Sequence, residues 1–197
     1  MSISAAARKL ILDAEGLSAK PDWPGGQSGV TIGFGYDLGY VTVDQFESDW
    51  GEALPASAVA RLKEVVGLRV LRAKNRVAGL ADIRITRAQA EQIFTLRTLP
   101  LYEFRTAQTF PGVDKLPEDA RGALVSLVYN RGTSMTDNSP EDRRREMRAI
   151  RDVVANDDLK EIATQLRAMK RLWLGKKLNG LIARREQEAK LVESCVT

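Results

Sequence analysis

The chain contains no histidine and a single cysteine among its 197 residues. Without an imidazole, it lacks the usual general base, the usual partner of a nucleophilic serine or cysteine, and the commonest metal ligand. Acid–base chemistry must therefore fall mainly to carboxylates. Cys195 excludes an intramolecular disulfide and lies near the end of the sequence, where we expect a plain tail residue. We expect neither a bound metal nor a cofactor.

Long apolar runs are also missing. Hydrophobic residues make up 44% of the sequence and charged residues 28%, which is typical of a globular domain, and no run approaches the ~20 residues that cross a bilayer. Residues 1–16 place their basic side chains inside an amphipathic pattern, without the separate apolar core of a secretory signal. We therefore expect a first helix, a protein made in the cytoplasm without a signal peptide, and no membrane partner.

The net charge of +4 and the pI near 9.3 favour an acidic partner, such as nucleic acid, anionic lipid or the anionic bacterial wall. Acidic residues are mixed among the basic ones throughout, which argues against nucleic acid. The length allows one well-filled domain, or two lobes sharing a connecting helix. No repeat or linker divides the sequence, so we predict a single domain over residues 1–197 and a monomer.

One glycine-rich stretch, residues 15–39, differs from the rest of the sequence. Its glycines mark tight turns and close backbone approaches. From Gly29 onward the residues alternate, with Thr31 and Asp37 on the polar side of the pattern. A fully extended strand would separate these two by roughly 20 Å, so we predict a turn at Gly33-Phe34-Gly35 and hence a small β-hairpin.

Everything after this stretch has helical periodicity. A capping box predicts a helix from Thr42, and Pro100 is expected to end or kink a longer one. Pro117 opens the most apolar helix, which stops at Gly132 and is the predicted core helix. The predicted helical ranges are 42–50, 56–66, 69–78, 86–96, 101–108, 117–132, a charged helix from Pro140, 159–173 and 178–193.

Glu15 closes the first predicted helix, directly before Gly16. Ser2 or Ser4 can cap that helix, and its apolar residues fall at helical spacing. The helix dipole and a position beside the buried stripe both disfavour a negative charge on the Glu15 carboxyl group. A carboxylic acid held neutral in this way can donate a proton.

A glutamate that ends a helix, a glycine-rich loop and then Thr31-Ile32-Gly33-Phe34-Gly35 together resemble the phage-type lysozymes. Two later stretches are similar to segments of the same family. They are residues 128–132, Val-Tyr-Asn-Arg-Gly, and residues 180–188, Gly-Leu-Ile-Ala-Arg-Arg-Glu-Gln-Glu. The resemblance implies a mainly α (α+β), lysozyme-like two-lobed fold with a small N-terminal hairpin. It also implies a glycosidase that acts on bacterial peptidoglycan.

The sequence departs from the common phage pattern, in which an aspartate lies six residues before the threonine. That position is Gly25 here, while Asp37 lies six residues after Thr31. This arrangement resembles the pesticin-like muramidases and implies a triad of Glu15, Thr31 and Asp37. Asp22 is the alternative carboxylate, expected in a loop, and Asp37 could instead be a turn residue that bonds its own backbone.

Other residues keep two interpretations. Asn130 and Arg131 could bind sugar or the peptide stem, or could cap the core helix. The run from Arg143 to Arg145 is expected to be a solvated helix face rather than a polyanion site. Arg184 and Arg185 are expected to have a structural role, paired with Glu188 or with the loop at the core helix. The tryptophans, which could stack on sugars but are more often core residues, are Trp23, Trp50 and Trp173.

The function that these residues predict is that of a muramidase. Glu15 would protonate the leaving oxygen, while Asp37 and Thr31 would hold the attacking water, which implies inversion. A catalytically inactive binding protein on a lysozyme scaffold and a basic nucleic-acid-binding protein are the alternatives. The sequence leaves open a phage endolysin, an antibacterial effector and a bacteriocin fragment. It also leaves open an immunity protein or a delivery partner that brings the enzyme to the periplasmic wall.

Overall fold

The computed structural model describes residues 2–196. The chain divides into two compact units. Unit 2 is the continuous segment Glu15–Pro100, and unit 1 combines the residues up to Ala14 with those from Leu101 onward. Within residues 2–196, no helix is both long and apolar enough to cross a membrane.

Unit 2 begins with a three-stranded antiparallel sheet in the order β1-β2-β3. The strands are β1 (Ser18–Asp22), β2 (Thr31–Gly33) and β3 (Tyr36–Asp37). Four helices follow: α2 (Val43–Trp50), α3 (Ala56–Lys63), α4 (Val70–Val77) and α5 (Arg87–Ile93). As predicted, the Thr42 hydroxyl caps α2 by accepting a 3.2 Å hydrogen bond from the Gln45 amide.

The predicted hairpin and its turn are confirmed. Gly33 and Gly35 adopt φ values of +59° and +71°, which side-chain-bearing residues rarely tolerate, and the chain reverses between β2 and β3. The third strand, β1, was not predicted. Its sequence, Ser-Ala-Lys-Pro-Asp, is mostly exposed and shows no alternation, and its Pro21 is tolerated because β1 lies at the edge of the sheet.

Helix α5 does not stop before Pro100, where an end or a kink was expected. A π-helical turn over Phe94–Thr98 joins it directly to α6 (Leu99–Thr109). Pro100 therefore occupies the first turn of α6, where its missing amide hydrogen costs least. The wider π turn accommodates the change in hydrogen bonding.

Unit 1 is helical and is organised around α7 (Glu118–Arg131), the predicted core helix. All residues from Gly122 to Val128 are buried. Gly122 permits an unusually close approach of the first helix, α1 (Ala5–Glu15), since a Cβ at this position would lie 2.0 Å from that of Ala7. The remaining helices of unit 1 are α8 (Arg145–Val154), α9 (Leu159–Ala168) and α10 (Asn179–Glu193).

The charged helix begins later than predicted, at Arg145 rather than at Pro140. The Asp137 carboxylate accepts hydrogen bonds from the amides of Ser139 and Arg143, at 2.9 and 2.8 Å. These bonds hold the intervening residues in a turn, so the backbone amides that a helix would have used are already occupied.

A buried ionic cluster joins α7 to α10 and confirms the structural pairing expected from the sequence. Glu188 is fully buried and accepts bonds from Arg184, Arg185 and the hydroxyl of Ser126, at 3.4, 2.6 and 2.6 Å. Arg184 also donates to the Ser126 hydroxyl at 3.0 Å. These bonds partly offset the large cost of burying the charges.

Candidate active site

Glu15 is the last residue of α1 and the first of unit 2. The helix starts as predicted, because the Ser4 hydroxyl accepts a 3.0 Å bond from the Ala7 amide. It ends as predicted too, since Gly16 takes the left-handed φ of +70° that terminates a helix. The Glu15 side chain is half-buried where α1 gives way to the loop that leads into β1.

Thr31 and Asp37 are directly paired across β2 and β3. Residues opposite each other in an antiparallel pair project to the same face of the sheet, with Cα atoms ~4.5–5.5 Å apart. The turn at Gly33-Phe34-Gly35 therefore brings together a hydroxyl and a carboxylate that lie six residues apart in the sequence. The predicted turn thus places Thr31 and Asp37 side by side.

The Asp37 carboxylate is held by two backbone amides. Its Oδ1 accepts hydrogen bonds from the N–H groups of Gly29 and Gly39, at 2.9 and 2.8 Å. Burial of the half-buried carboxyl group raises its pKa above the usual value for aspartate, while these two bonds and the nearby Arg69 charge act in the opposite direction. Asp37 is thus both a turn residue, as the alternative interpretation held, and an oriented carboxylate.

The two glycines have no room for a side chain. A Cβ on Gly29 would lie 2.5 Å from the Asp37 Oδ1 and 2.4 Å from the Gly39 nitrogen. A Cβ on Gly39 would lie 2.8 Å from the Gly29 Cα. Glycine at both positions is therefore what lets the two loops approach the carboxylate, which explains part of the glycine density noted in the sequence.

The expectation that Asp22 lies in a loop is wrong. Asp22 is the last residue of β1, and its Cα pairs with that of Thr31 from the other side of the sheet. An irregularity in the pairing between Ser18 and Asp22 shifts the register, and this shift makes the pair possible. Thr31 therefore has an aspartate opposite it on each neighbouring strand, although the Asp22 side chain is exposed.

The polar face of the hairpin is only partly open. Thr31 retains 8% of its surface, and a Cβ on Gly33 would lie 3.1 Å from the Trp50 ring and 3.3 Å from the Ala90 side chain. Packing against α2 and α5 therefore closes the end of the face near the turn. The accessible functional group on this face is the half-buried Asp37 carboxylate at the other end.

A buried polar network that was not predicted from the sequence supports the hairpin from α2. Asp49 is nearly buried and accepts bonds from the Tyr36 hydroxyl and the Gln45 amide, each at 2.8 Å. Arg97 pairs with the same carboxylate at 3.2 Å. Burial and the adjacent Asp49 raise the pKa of Tyr36 far above its usual value, so the phenol stays a donor. The i, i+4 spacing of Gln45 and Asp49 was the available signal.

Asn130 and Arg131 belong to unit 1, in the last turn of α7. The Arg131 guanidinium donates to the Arg143 carbonyl and lies 5.3 Å from the centre of the Trp173 ring. Burial and neighbouring arginines lower its pKa to about 10. These contacts give Arg131 a structural role within unit 1, and substrate binding by Asn130 or Arg131 stays a prediction.

The three tryptophans are mainly structural. Trp50 and Trp173 are buried, at 1% and 4% exposure. Trp23 is half-buried, donates to the Ser28 carbonyl at 3.0 Å and has the Lys74 ammonium 5.4 Å from its ring centre. Among residues 2–196, no group of three or more carboxylate or cysteine side chains is arranged to hold a metal ion.

This arrangement, a helix-terminal glutamate followed by a small sheet that carries a paired threonine and aspartate, agrees with the family assignment. The model of the phage lysozyme family matches residues 13–188, and the chain belongs to this family. Among solved structures it is similar to the active form of the P1 phage endolysin Lyz. The TM-score is 0.59 at 19% identity, over 99% of this chain and 86% of that one, which confirms the lysozyme-like fold. A search of curated protein sequences gave no match.

Proposed function

We propose that the protein is a muramidase that hydrolyses the β-1,4 bond between N-acetylmuramic acid and N-acetylglucosamine in bacterial peptidoglycan. Membership in the phage lysozyme family supports a glycosidase. The observation that carries the proposal is the pairing of Thr31 with Asp37, whose carboxylate is oriented by two backbone amides. A purely structural scaffold would not need a hydroxyl and a carboxylate on the same face of the sheet.

In this mechanism Glu15 is the general acid. It protonates the glycosidic oxygen as the bond to the anomeric carbon breaks. A water molecule, held by the Asp37 carboxylate and the Thr31 hydroxyl, attacks that carbon from the opposite face and gives its proton to Asp37. Because the nucleophile is water rather than a carboxylate, the anomeric configuration is inverted.

Asp37 suits the role of base better than Asp22 does, because its orientation is fixed. Both amide bonds end on Oδ1, which leaves Oδ2 to accept a proton from water. Asp22 also lies opposite Thr31, but its side chain is exposed. Positioning of a catalytic group within a fraction of an ångström supplies much of its effect, so an exposed carboxylate is the weaker choice.

The similarity to the P1 phage endolysin supports a lytic role at the cell wall. A phage endolysin, a delivered antibacterial effector and a bacteriocin fragment would all use the same reaction. In each case the enzyme acts on the periplasmic wall after delivery. An immunity protein or a secretion or delivery partner is part of the proposal for a delivered toxin.

Clearing of purified cell walls in a gel tests the proposal directly. Proton NMR of the first products then identifies the bond and the stereochemistry. We expect new reducing ends on N-acetylmuramic acid with an initial excess of the α-anomer, since the bond cleaved is β. Reducing ends on N-acetylglucosamine would show a different glycosidase, and an initial excess of β-anomer would exclude inversion.

The alternative of an inactive binding protein on the same scaffold makes a different prediction. It would bind walls in a sedimentation assay and clear nothing. The chain has Glu15, Thr31 and Asp37 together, which argues against an inactive protein. A folded protein that sediments with walls but releases no reducing ends would support it.

A further inference from the structure

A pocket of about 390 Å³ lies in unit 2, and the proposed reaction does not use it. It is lined by Gln27, Gly67 and the four residues 69–72, which form the N-cap and first turn of α4. Two backbone bonds tie this region to the loops around the hairpin. The Val70 amide donates to the Ser28 carbonyl and the Gly67 amide donates to the Leu38 carbonyl, both at 2.9 Å.

The pocket therefore adjoins the residues that hold Asp37. Ser28 precedes Gly29, and Leu38 precedes Gly39, whose amides bind the Asp37 carboxylate. The side chain of Arg69 packs against Gly39, since a Cβ there would lie 2.7 Å from the Arg69 Cγ. A substrate bound at Asp37 would thus extend close to the pocket.

The pocket is positively charged. Its lining includes Arg69 and Arg72 and no acidic residue. Neither guanidinium forms a salt bridge with a carboxylate within residues 2–196, although the charge of Arg69 acts on the nearby Asp37 carboxylate. Such a pocket favours an anion, and the planar, fork-shaped guanidinium favours a carboxylate or a phosphate.

Tyr40 lies beside the pocket and contacts two of its lining residues. The Arg69 guanidinium lies 5.0 Å from the centre of its ring, and the Tyr40 hydroxyl donates to the Gln27 carbonyl at 3.0 Å. These contacts orient Arg69 before any ligand binds. Tyr40 and Leu71 are 60% and 62% exposed, so apolar surface lies beside the two cations. The ligand that fits is an anion with short apolar groups.

We propose that this pocket binds a carboxylate of the peptide stem that muramic acid carries in peptidoglycan. This assignment rests on the proposed function. The lactyl carboxyl groups of the glycan chain are consumed in the amide bonds to the stem, whereas the stem itself combines free carboxylates with alanine methyl groups. The pocket would thus recognise peptide-bearing muramic acid next to the bond that is cleaved.

Binding is tested with a soluble probe, the peptide L-alanyl-γ-D-glutamyl-L-lysine, followed through the amide NMR signals of the intact protein. We expect saturable shifts at Gln27 and Leu71. Arg72→Gln should weaken binding about fivefold, the effect of losing one solvent-accessible ion pair. Arg76→Gln, one turn further along the same helix and outside the pocket lining, should change it by less than about twofold, because an exposed charge that makes no direct contact with the ligand contributes little.

Three results of the titration would overturn the proposal: no shifts at these amides, equal weakening by the two variants, or tighter binding of inorganic phosphate at the same signals. The last would assign the pocket to a phosphate group instead. This titration needs no catalysis, so it tests binding in the pocket even if the protein proves not to be a muramidase.

A second arm uses the reaction. Glycan strands with intact stems are compared with strands whose stems have been removed by an amidase and whose freed lactyl carboxyl groups have then been converted to methyl amides. Arg72→Gln should raise KM on stem-bearing strands about fivefold more than on stripped strands, with the same comparison made for Arg76→Gln. Equal effects on both substrates would overturn the proposal while leaving the muramidase assignment standing. Failure of the wild-type protein to cleave either substrate would overturn the muramidase assignment.

Discussion

Thr31 pairs with Asp22 on one side and with Asp37 on the other, because it occupies the central strand of a three-stranded sheet. An upstream and a downstream aspartate therefore flank the same threonine in this chain, although Asp22 lies three residues earlier than the aspartate of the common phage pattern would. The difference between the two aspartates is one of environment. Asp37 is half-buried and bound by two amides, whereas Asp22 is exposed.

Replacing Glu15 with glutamine should reduce wall lysis by about 10²–10⁴-fold, because it removes the transferable proton and little volume. The fold should persist, as judged by circular dichroism and the thermal midpoint. Glu52→Gln, at an exposed position of unit 2, is the matched control and should retain activity. A folded Glu15→Gln protein that still lyses walls would refute the acid role.

Asp37→Asn should be more damaging than Asp22→Asn. The amide oxygen of asparagine can still accept from Gly29 and Gly39, so the loops stay in place while the base is lost. We expect a loss of about 10²-fold or more for Asp37→Asn and less than about tenfold for Asp22→Asn. Initial rates on the same wall preparation decide the ranking, and the reverse order would identify Asp22 as the base.

Gly29→Ala should disrupt the site without touching a catalytic group. The new methyl group would collide with the Asp37 Oδ1 and the Gly39 nitrogen, at a cost of about 1–3 kcal/mol of stability, and should displace the carboxylate. Gly79→Ala, where a methyl group meets nothing within 4 Å, is the control. Urea unfolding and lysis rates are measured for both, and equal behaviour would show that the Gly29 contact is unimportant.

The pH dependence of stability should reflect the raised pKa of Asp37. Since protonation is favoured in the folded state, the contribution of Asp37 to stability is fully present below the usual aspartate pKa. It is lost as pH rises through the raised value. Relative to Asp37→Asn, the wild-type protein should therefore lose unfolding free energy as the pH rises from the usual aspartate pKa of about 3.9 through the raised pKa of the folded protein. Urea titrations of both proteins across this range measure the difference in unfolding free energy. A difference that grows in favour of the wild-type protein as the pH rises would contradict the expectation.

Glu188→Ala should destabilise unit 1 strongly. It leaves the buried guanidiniums of Arg184 and Arg185 without their carboxylate, which costs about 3–5 kcal/mol. Glu91→Ala breaks an exposed pair with Arg87 and should cost less than about 1 kcal/mol. Thermal unfolding of the two variants gives the comparison, and a similar loss for both would show that the cluster contributes little net stability.

Local patterns predicted much of the fold. The cap at Thr42, the glycine after Glu15 and the apolar run of the core helix are features that a few neighbouring residues determine. The pairing of Thr31 with Asp37 was also accessible, since it needed only a turn between two glycines. The sequence predicted these elements because short-range sterics and hydrogen bonding decide them.

Interactions between distant segments account for the rest. Strand β1 has the composition of a loop and forms only because β2 offers it a free edge. The placement of Asp22 depends on an irregular register that no periodicity shows. Similarly, Gly29 and Gly39 were evident in the sequence, but their role was not. Their amides both donate to the Asp37 carboxylate, which depends on two loops that lie ten residues apart in the sequence.

The close approach of Ala7 to Gly122 joins the two pieces of unit 1, which lie on either side of all of unit 2 in the sequence. Unit 2 is continuous, so its contacts close short loops, whereas unit 1 is complete only after a loop of more than a hundred residues has closed. The entropic cost of closing a loop rises with its length, and contacts between distant segments form slowly. The order of folding therefore favours unit 2, with α1 joining its partners late. A nascent chain can thus shape the loops around Asp37 well before the helix that carries Glu15 is held in place.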